Sequence, residues 1–306
     1  MKKIYALLLL CLGPLCAYTQ NTLSIDNFSF SLSPKILEDG SIIDIGVGLD
    51  YTDRLRGELR VRNTMSSKNE EIAGVADSLN AVNEHIFEAF FLPLEYSFVK
   101  SSGARLWAGA GVYYEYDKLT EKGFFNMPEL EDLGRERVNA YNNDFAMHII
   151  GPLIDAGVDF NTNWLNTTLS AGIVPVFFLT AVQEMRIVPL LEPHHANYTQ
   201  HTWGSPYFYA RLDSTFFKYV NLVLLYDAAQ LRYQYIDFDD NLHWITPESA
   251  VFTQSLKIEA SLLLPLDGMS FQVGYGYTFD SMRVDSAPPI DGNRQYIILS
   301  VRKTGA

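Results

Sequence analysis

Apolar and polar side chains alternate one for one along most of this chain. From 41 to 51, Ile43, Ile45, Val47 and Leu49 share one parity, while Asp44, Gly46, Gly48 and Asp50 share the other. From 54 to 62, Leu55, Leu59 and Val61 oppose Arg54, Arg56, Glu58, Arg60 and Arg62. From 105 to 117, Leu106, Ala108, Ala110, Val112, Tyr114 and Tyr116 oppose Arg105, Trp107, Gly109, Gly111 and Glu115. The split recurs at 150–160, 255–264 and 271–279. It recurs also at 165–179, where Phe177 and Leu179 group by parity with Leu165, Leu169 and Ile173. A period of two sustained in this way predicts β-strands with one apolar face.

Twelve strands are predicted, at 22–32, 41–51, 54–63, 88–99, 105–117, 146–160, 165–180, 206–216, 219–235, 253–265, 269–281 and 294–302. A parity shift near Ala228-Ala229 predicts a bulge in the ninth. Long connections (33–40, 64–87, 118–145, 181–205, 236–252, 282–293) alternate with short ones near Thr52-Asp53, Ser101-Ser102, Thr162-Asn163, Phe217-Lys218 and Asp267-Gly268. Soluble strands average about 5–6 residues, whereas a tilted strand needs about 9–11 to cross a bilayer. A soluble sandwich would explain the alternation, but it has no reason to sort its connections by length. An even-stranded membrane barrel does, because its turns and its loops lie on opposite sides of the membrane. Pro93, Pro152 and Pro175 count against uninterrupted central strands.

Lys2 and Lys3 precede a short apolar run, Ile4 to Leu12, broken by Gly13-Pro14. This reads as a secretory signal over 1–17, cleaved after Ala17, with the barrel over 18–306. Cys11 and Cys16 both fall inside it, so the mature chain has no thiol for a disulfide or a metal. The whole chain is 48% hydrophobic and 19% charged, which excludes a disordered chain. Its 23 Lys and Arg against 36 Asp and Glu give a net charge of -13, which excludes nucleic acid as a partner.

With a signal, dyad strands and sorted connections over roughly residues 21 to 303, the chain resembles bacterial outer-membrane β-barrel proteins as a broad, porin-like class. The resemblance implies an all-β fold: a transmembrane antiparallel barrel of about twelve strands, with short periplasmic turns and long external loops. It implies outer-membrane lipid as the surroundings and transport as the activity. Such barrels usually end on an aromatic residue, whereas Tyr296 to Val301 runs on into Arg302-Lys303-Thr304.

Inside a barrel the polar parity faces the lumen. A turn centred on Thr52-Asp53-Arg54 sets Asp50 across from Arg56 and Asp44 across from Arg62; a shift of two sets them against Arg54 and Arg60. Glu58, Glu95, Arg105, Glu115, Asp155, Asp159, Lys257 and Glu259 extend the inward charge, as do Glu88, Arg211, Asp213 and Asp227. This set reads either as an internal salt-bridge network or as a charged constriction for small hydrophilic solutes. Eight strands enclose only side chains and about 16 enclose water, so twelve permits a narrow channel. A non-conducting surface barrel, adhesive or envelope-structural through its acidic loops, is the competing expectation. A channel for hydrophobic compounds is a third, although no apolar inward-facing set stands out to line one.

No catalytic residue is expected. His148 has outward parity, but Ile149-Ile150-Gly151 supplies no nucleophile beside it. His194, His195 and His201 lack ligand spacing, and Asp237-Phe238-Asp239-Asp240-Asn241 lacks the glycine and closing Glu of a calcium loop, so neither a metal nor a cofactor is expected. The pattern carries no oligomeric state.

Overall fold

A computed structural model describes residues 28–70, 78–126, 137–187, 194–234, 237–238, 244–245, 248–266, 269–284 and 290–303. The expected signal lies outside them. Strands β1 (Phe28–Leu37), β2 (Gly40–Asp50), β3 (Leu55–Glu70), β4 (Ser78–Lys100), β5 (Ala104–Asn126) and β6 (Arg137–Asn161) pair in chain order. Then come β7 (Leu165–Val174), β8 (Phe177–Ile187), β9 (His194–Gly204), β10 (Tyr207–Phe216) and β11 (Val220–Gln234). Two-residue β12 (Asp237–Phe238) and β13 (Trp244–Ile245) pair only with each other. Strands β14 (Glu248–Leu266), β15 (Met269–Val284) and β16 (Ile290–Lys303) complete the wall.

Strand β16 pairs antiparallel with β1, from Phe30 opposite Lys303 to Leu37 opposite Tyr296, and this closes the sheet. β7 and β8 are two lengths of one stave parted at Pro175-Val176, and β9 and β10 are two lengths of the next, parted at Ser205-Pro206. The fold is therefore a closed antiparallel barrel of twelve staves. Closure satisfies every strand edge, which a bilayer requires of any β structure that spans it.

One end carries tight turns. At 51–54, Thr52 Oγ1 accepts from the amides of Arg54 and Leu55 at 3.3 and 3.0 Å. Thr162 Oγ1 accepts from the Leu165 amide at 3.0 Å in the same way. Between β10 and β11 the chain reverses through Phe217 and Lys218 at φ 51 and 68°. Two consecutive left-handed residues match the twist of a two-residue hairpin but cost energy in anything except glycine.

At the other end the strands run further than the alternation suggested. β4 and β5 have 23 residues and β6 has 25, so they take in much of the expected loops 64–87 and 118–145. The expected connection 33–40 contracts to residues 38–39. Polar residues continue the period of two there, because a strand standing above the lipid no longer needs an apolar face.

The outer wall is apolar where the membrane would lie, with Leu106, Ile154, Leu169, Leu262, Leu264 and Val273 all about half exposed or more. The inner wall is not uniformly polar. Leu92, Tyr113, Met147, Ile149, Leu153, Val174, Phe177, Leu179, Ala181 and Tyr209 form a buried cluster within it, extended by Phe90, Phe145, Tyr207, Leu225 and Leu231. This corrects the expectation that no apolar set faces inward. Between Ile154–Ile173 and Ile150–Phe178 the β7/β8 stave holds one residue more than β6, so facing parity flips at Pro175-Val176. Phe177 and Leu179 therefore point inward, opposite to Leu169.

Pro152 keeps an unbroken register opposite Val112 of β5 and faces the gap between the β6–β7 and β6–β8 pairings on its other side, while Pro93, Pro175 and Pro206 lie where the ladder is interrupted. Pro93 falls in the β4 register shift between Phe91 and Leu94, and Pro175 and Pro206 fall in the stave breaks. The expected bulge at Ala228-Ala229 is absent, since β11 pairs with β14 in one register from Val220–Leu262 to Gln234–Glu248. Its apolar inward residues, Leu225 and Leu231, belong to the interior cluster and produced the apparent shift in parity.

Candidate lumen site

The β2–β3 hairpin adopts the first of the two registers considered, with Asp50 opposite Arg56 and Asp44 opposite Arg62. Arg62 Nε bonds Asp44 Oδ1 at 2.8 Å, and its Nη1 reaches Glu88 on β4 at 3.5 Å. Asp44 also receives Lys35, whose Nζ lies 2.5 Å from both Asp44 Oδ2 and Glu259 Oε1. The Tyr296 hydroxyl donates to Glu259 at 2.8 Å, and Lys35 stands over the Tyr296 ring. Gly276 on β15 leaves the room that this ring occupies; a Cβ there would meet it.

A second group joins β3 to β6, with Arg60 bonding Glu58 at 3.0 Å and Asp155 at 3.1 Å. Lower down, Arg105 contacts Glu95, lies 3.4 Å from Asp159, and donates to Ser97 Oγ at 2.7 Å. Arg211 bonds Asp213 at 3.0 Å. Two of these ion pairs skip two strands each: Lys35–Glu259 bridges β1 to β14, and Arg60–Asp155 bridges β3 to β6. They cross the interior rather than follow the wall.

Asp50 and Arg54 sit apart from the rest, exposed at the turn rim, with Asp50 3.8 Å from Arg56. Lys35 had been assigned to a connection, yet Ser29, Ser31, Ser33 and Lys35 alternate with Phe30, Leu32 and Ile36, and that signal places it inward. His148 faces outward, its Nδ1 2.9 Å from the Tyr114 hydroxyl. His201 also lies on the outer face, stacked on Phe178, with its Nδ1 3.0 Å from Thr180 Oγ1.

The lumen holds two chambers. The outer one, 720 Å³, lies towards the long-strand end, and the inner one, 350 Å³, lies towards the turns. Both are lined by Arg62, Tyr207 and Lys257, which therefore mark the waist between them. Tyr207 stacks on Tyr113 at 5.1 Å and 10°, and Phe90 packs against Tyr113 and Tyr209 at 4.9 and 5.4 Å. One side of the waist is thus ionic and the other aromatic.

The chambers differ in charge. Glu84, Glu88, Glu115, Asp117, Asp227 and Asp280 face Arg62, Lys257 and Arg294 in the outer one. In the inner one Lys35, Arg56, Arg60, Arg62, Arg211 and Lys257 face Asp44, Glu58, Asp213 and Glu259. The outer chamber is net acidic and the inner net basic.

A twelve-stave closed barrel with an apolar outer belt and a charged interior has the architecture of an outer-membrane β-barrel. No protein-family model matches the chain, and no curated protein matches it. Among solved structures it is similar to the translocator domain of autotransporter NalP from Neisseria meningitidis, at 11% identity and TM-score 0.46, over 98% of this chain and 97% of that one. It is similar also to the Pseudomonas putida toluene transporter TodX, at 10% and 0.46, over 92% and 90% of the two chains. The outer-membrane protease OmpT from Escherichia coli aligns at 8% and 0.33, over 91% and 93%. These proteins differ in activity, so what they share with this chain is architecture.

Proposed function

We propose that the barrel is a narrow diffusion channel for small hydrophilic solutes. The observation that carries this reading is the pair of chambers, lying towards opposite ends and reaching the same three waist residues, Arg62, Tyr207 and Lys257. Charged side chains around such a waist replace part of a solute's hydration and select by sign. The salt bridges beside it hold the ring of charges in place, so the network and the constriction are the same residues in two roles.

A second reading, a channel for hydrophobic compounds, is favoured by one observation: the inward aromatic and aliphatic cluster on β4–β11. Single-channel recording of the refolded mature chain in planar bilayers separates the readings. Discrete steps, with a reversal potential in a salt gradient that moves when Arg56 is changed to Glu, support the hydrophilic channel. A folded, inserted barrel that never conducts ions refutes it.

A further inference from the structure

Lys257 is 8% exposed and lines both chambers, yet among the described residues it makes no ion pair within 4.0 Å and no hydrogen bond. Asp44, Asp227 and Glu259 act on this ammonium through space, but none reaches it directly, so its donors are left to the cavity, which is costly for a buried charge. On the outer chamber's wall the signs reverse. Glu115 stands directly opposite Glu88 across β4–β5; Arg62 holds Glu88, while Glu115 accepts only the Tyr113 hydroxyl. Like charges directly opposed across a strand pair are destabilising. Asp227 lies diagonal to Lys257 across β11–β14, but outside ion-pair distance. The same chamber carries an apolar shelf, in which Tyr113 and Tyr207 stack and belong with the buried Phe177 to the interior cluster.

We propose that the outer chamber binds a zwitterionic solute with an apolar body, of the kind an aromatic α-amino acid represents. Its carboxylate rests on Lys257, its ammonium on Glu115 and Asp227, and its side chain on the Tyr113–Tyr207 shelf. A hydrocarbon would leave both sets of charges desolvated and unpaired. A simple anion would meet the carboxylates, and a simple cation would meet Lys257. A volume of 720 Å³ lies within the range of small-molecule sites, about 300–1,000 Å³. The proposal rests on the channel reading for its purpose, but the site is testable without conduction.

The test is calorimetric titration of the refolded full barrel in micelles with L-phenylalanine, phenylacetate and phenethylamine. Phenylalanine is expected to bind at least tenfold tighter than either single-charge probe. Lys257→Met is expected to lower phenylalanine affinity at least tenfold while leaving phenethylamine unchanged, and Lys257→Arg to retain binding. Glu115→Gln, a milder change should the Met variant fail to fold, is expected to weaken phenylalanine but not phenylacetate. Equal binding of all three probes, no binding of phenylalanine, or unchanged phenylalanine affinity in a folded Lys257→Met or Glu115→Gln barrel overturns the proposal. Binding in micelles by a barrel that never conducts overturns the channel reading alone, whereas conduction without phenylalanine binding overturns this one alone.

Discussion

Replacing Lys35 with Met removes the ammonium that joins β1 to β14 while keeping a side chain of similar length, so little cavity forms. Asp44 keeps Arg62 at 2.8 Å, but Glu259 is left with the Tyr296 hydroxyl at 2.8 Å. Orphaning one member of a buried ion pair costs about 3–5 kcal/mol. Lys35 is 3% exposed and Glu259 is 7%, so solvent screens the loss little. Because only one of the two carboxylates is orphaned and it keeps a hydrogen bond, the expected cost is at the low end, about 3 kcal/mol. Adding Glu259→Gln removes the orphaned charge, and the double variant is expected to recover about 2 kcal/mol of that loss. Urea unfolding of barrels refolded in lipid vesicles, followed by tryptophan fluorescence, measures the parent, both single variants and the double. A single variant that loses less than about 1 kcal/mol, or a double variant whose loss is the sum of the singles, refutes the argument that this bridge fixes the waist.

Lys218→Gly removes one of the two left-handed non-glycine residues of the β10–β11 turn and is expected to stabilise the barrel by about 1 kcal/mol in the same unfolding assay. Gly276→Val is expected to cost about 1–3 kcal/mol, because the added atoms occupy the place of the Tyr296 ring and force that side chain off Glu259. Charge reversal at Arg56, alone or with Arg60, is expected to move the reversal potential towards cation selectivity in planar bilayers, since both arginines line the inner chamber.

The barrel was legible because its lipid-facing wall obeys one rule at every second residue, and the ends of its turns punctuate that rule. Even the Asp44–Arg62 pairing is one of the two registers that a turn at 52–54 and like parity on both strands allow. The apolar interior was not legible, because parity carries across a chain only while the register holds. One extra residue at Pro175-Val176 turns Phe177 and Leu179 from the lipid side to the lumen, and the sequence shows the proline without showing which way it shifts the stave. Tyr207 and Tyr209 are illegible for a related reason: an aromatic on the inward parity joins an apolar cluster only once the neighbouring staves are placed. Lys35 was hidden differently, since the first stave runs on to Leu37, past the end at 32 that the pattern suggests.

The staves rise to very different lengths from the turn end, 11 residues for β2 against 25 for β6. A bilayer accounts for only about 9–11 of these. The tall side is therefore a palisade standing in water, with Lys118, Thr120 and Lys122 on its outer face where lipid would not tolerate them. Two staves round the barrel from β4 the rim drops to the turn at 38–39. The outer chamber thus has a sheltered side and an open side. If the barrel conducts as proposed, a solute meets a screen on the side of β4 to β6 and a lower wall over β1 and β2, so the direction of approach is set by the height of the wall.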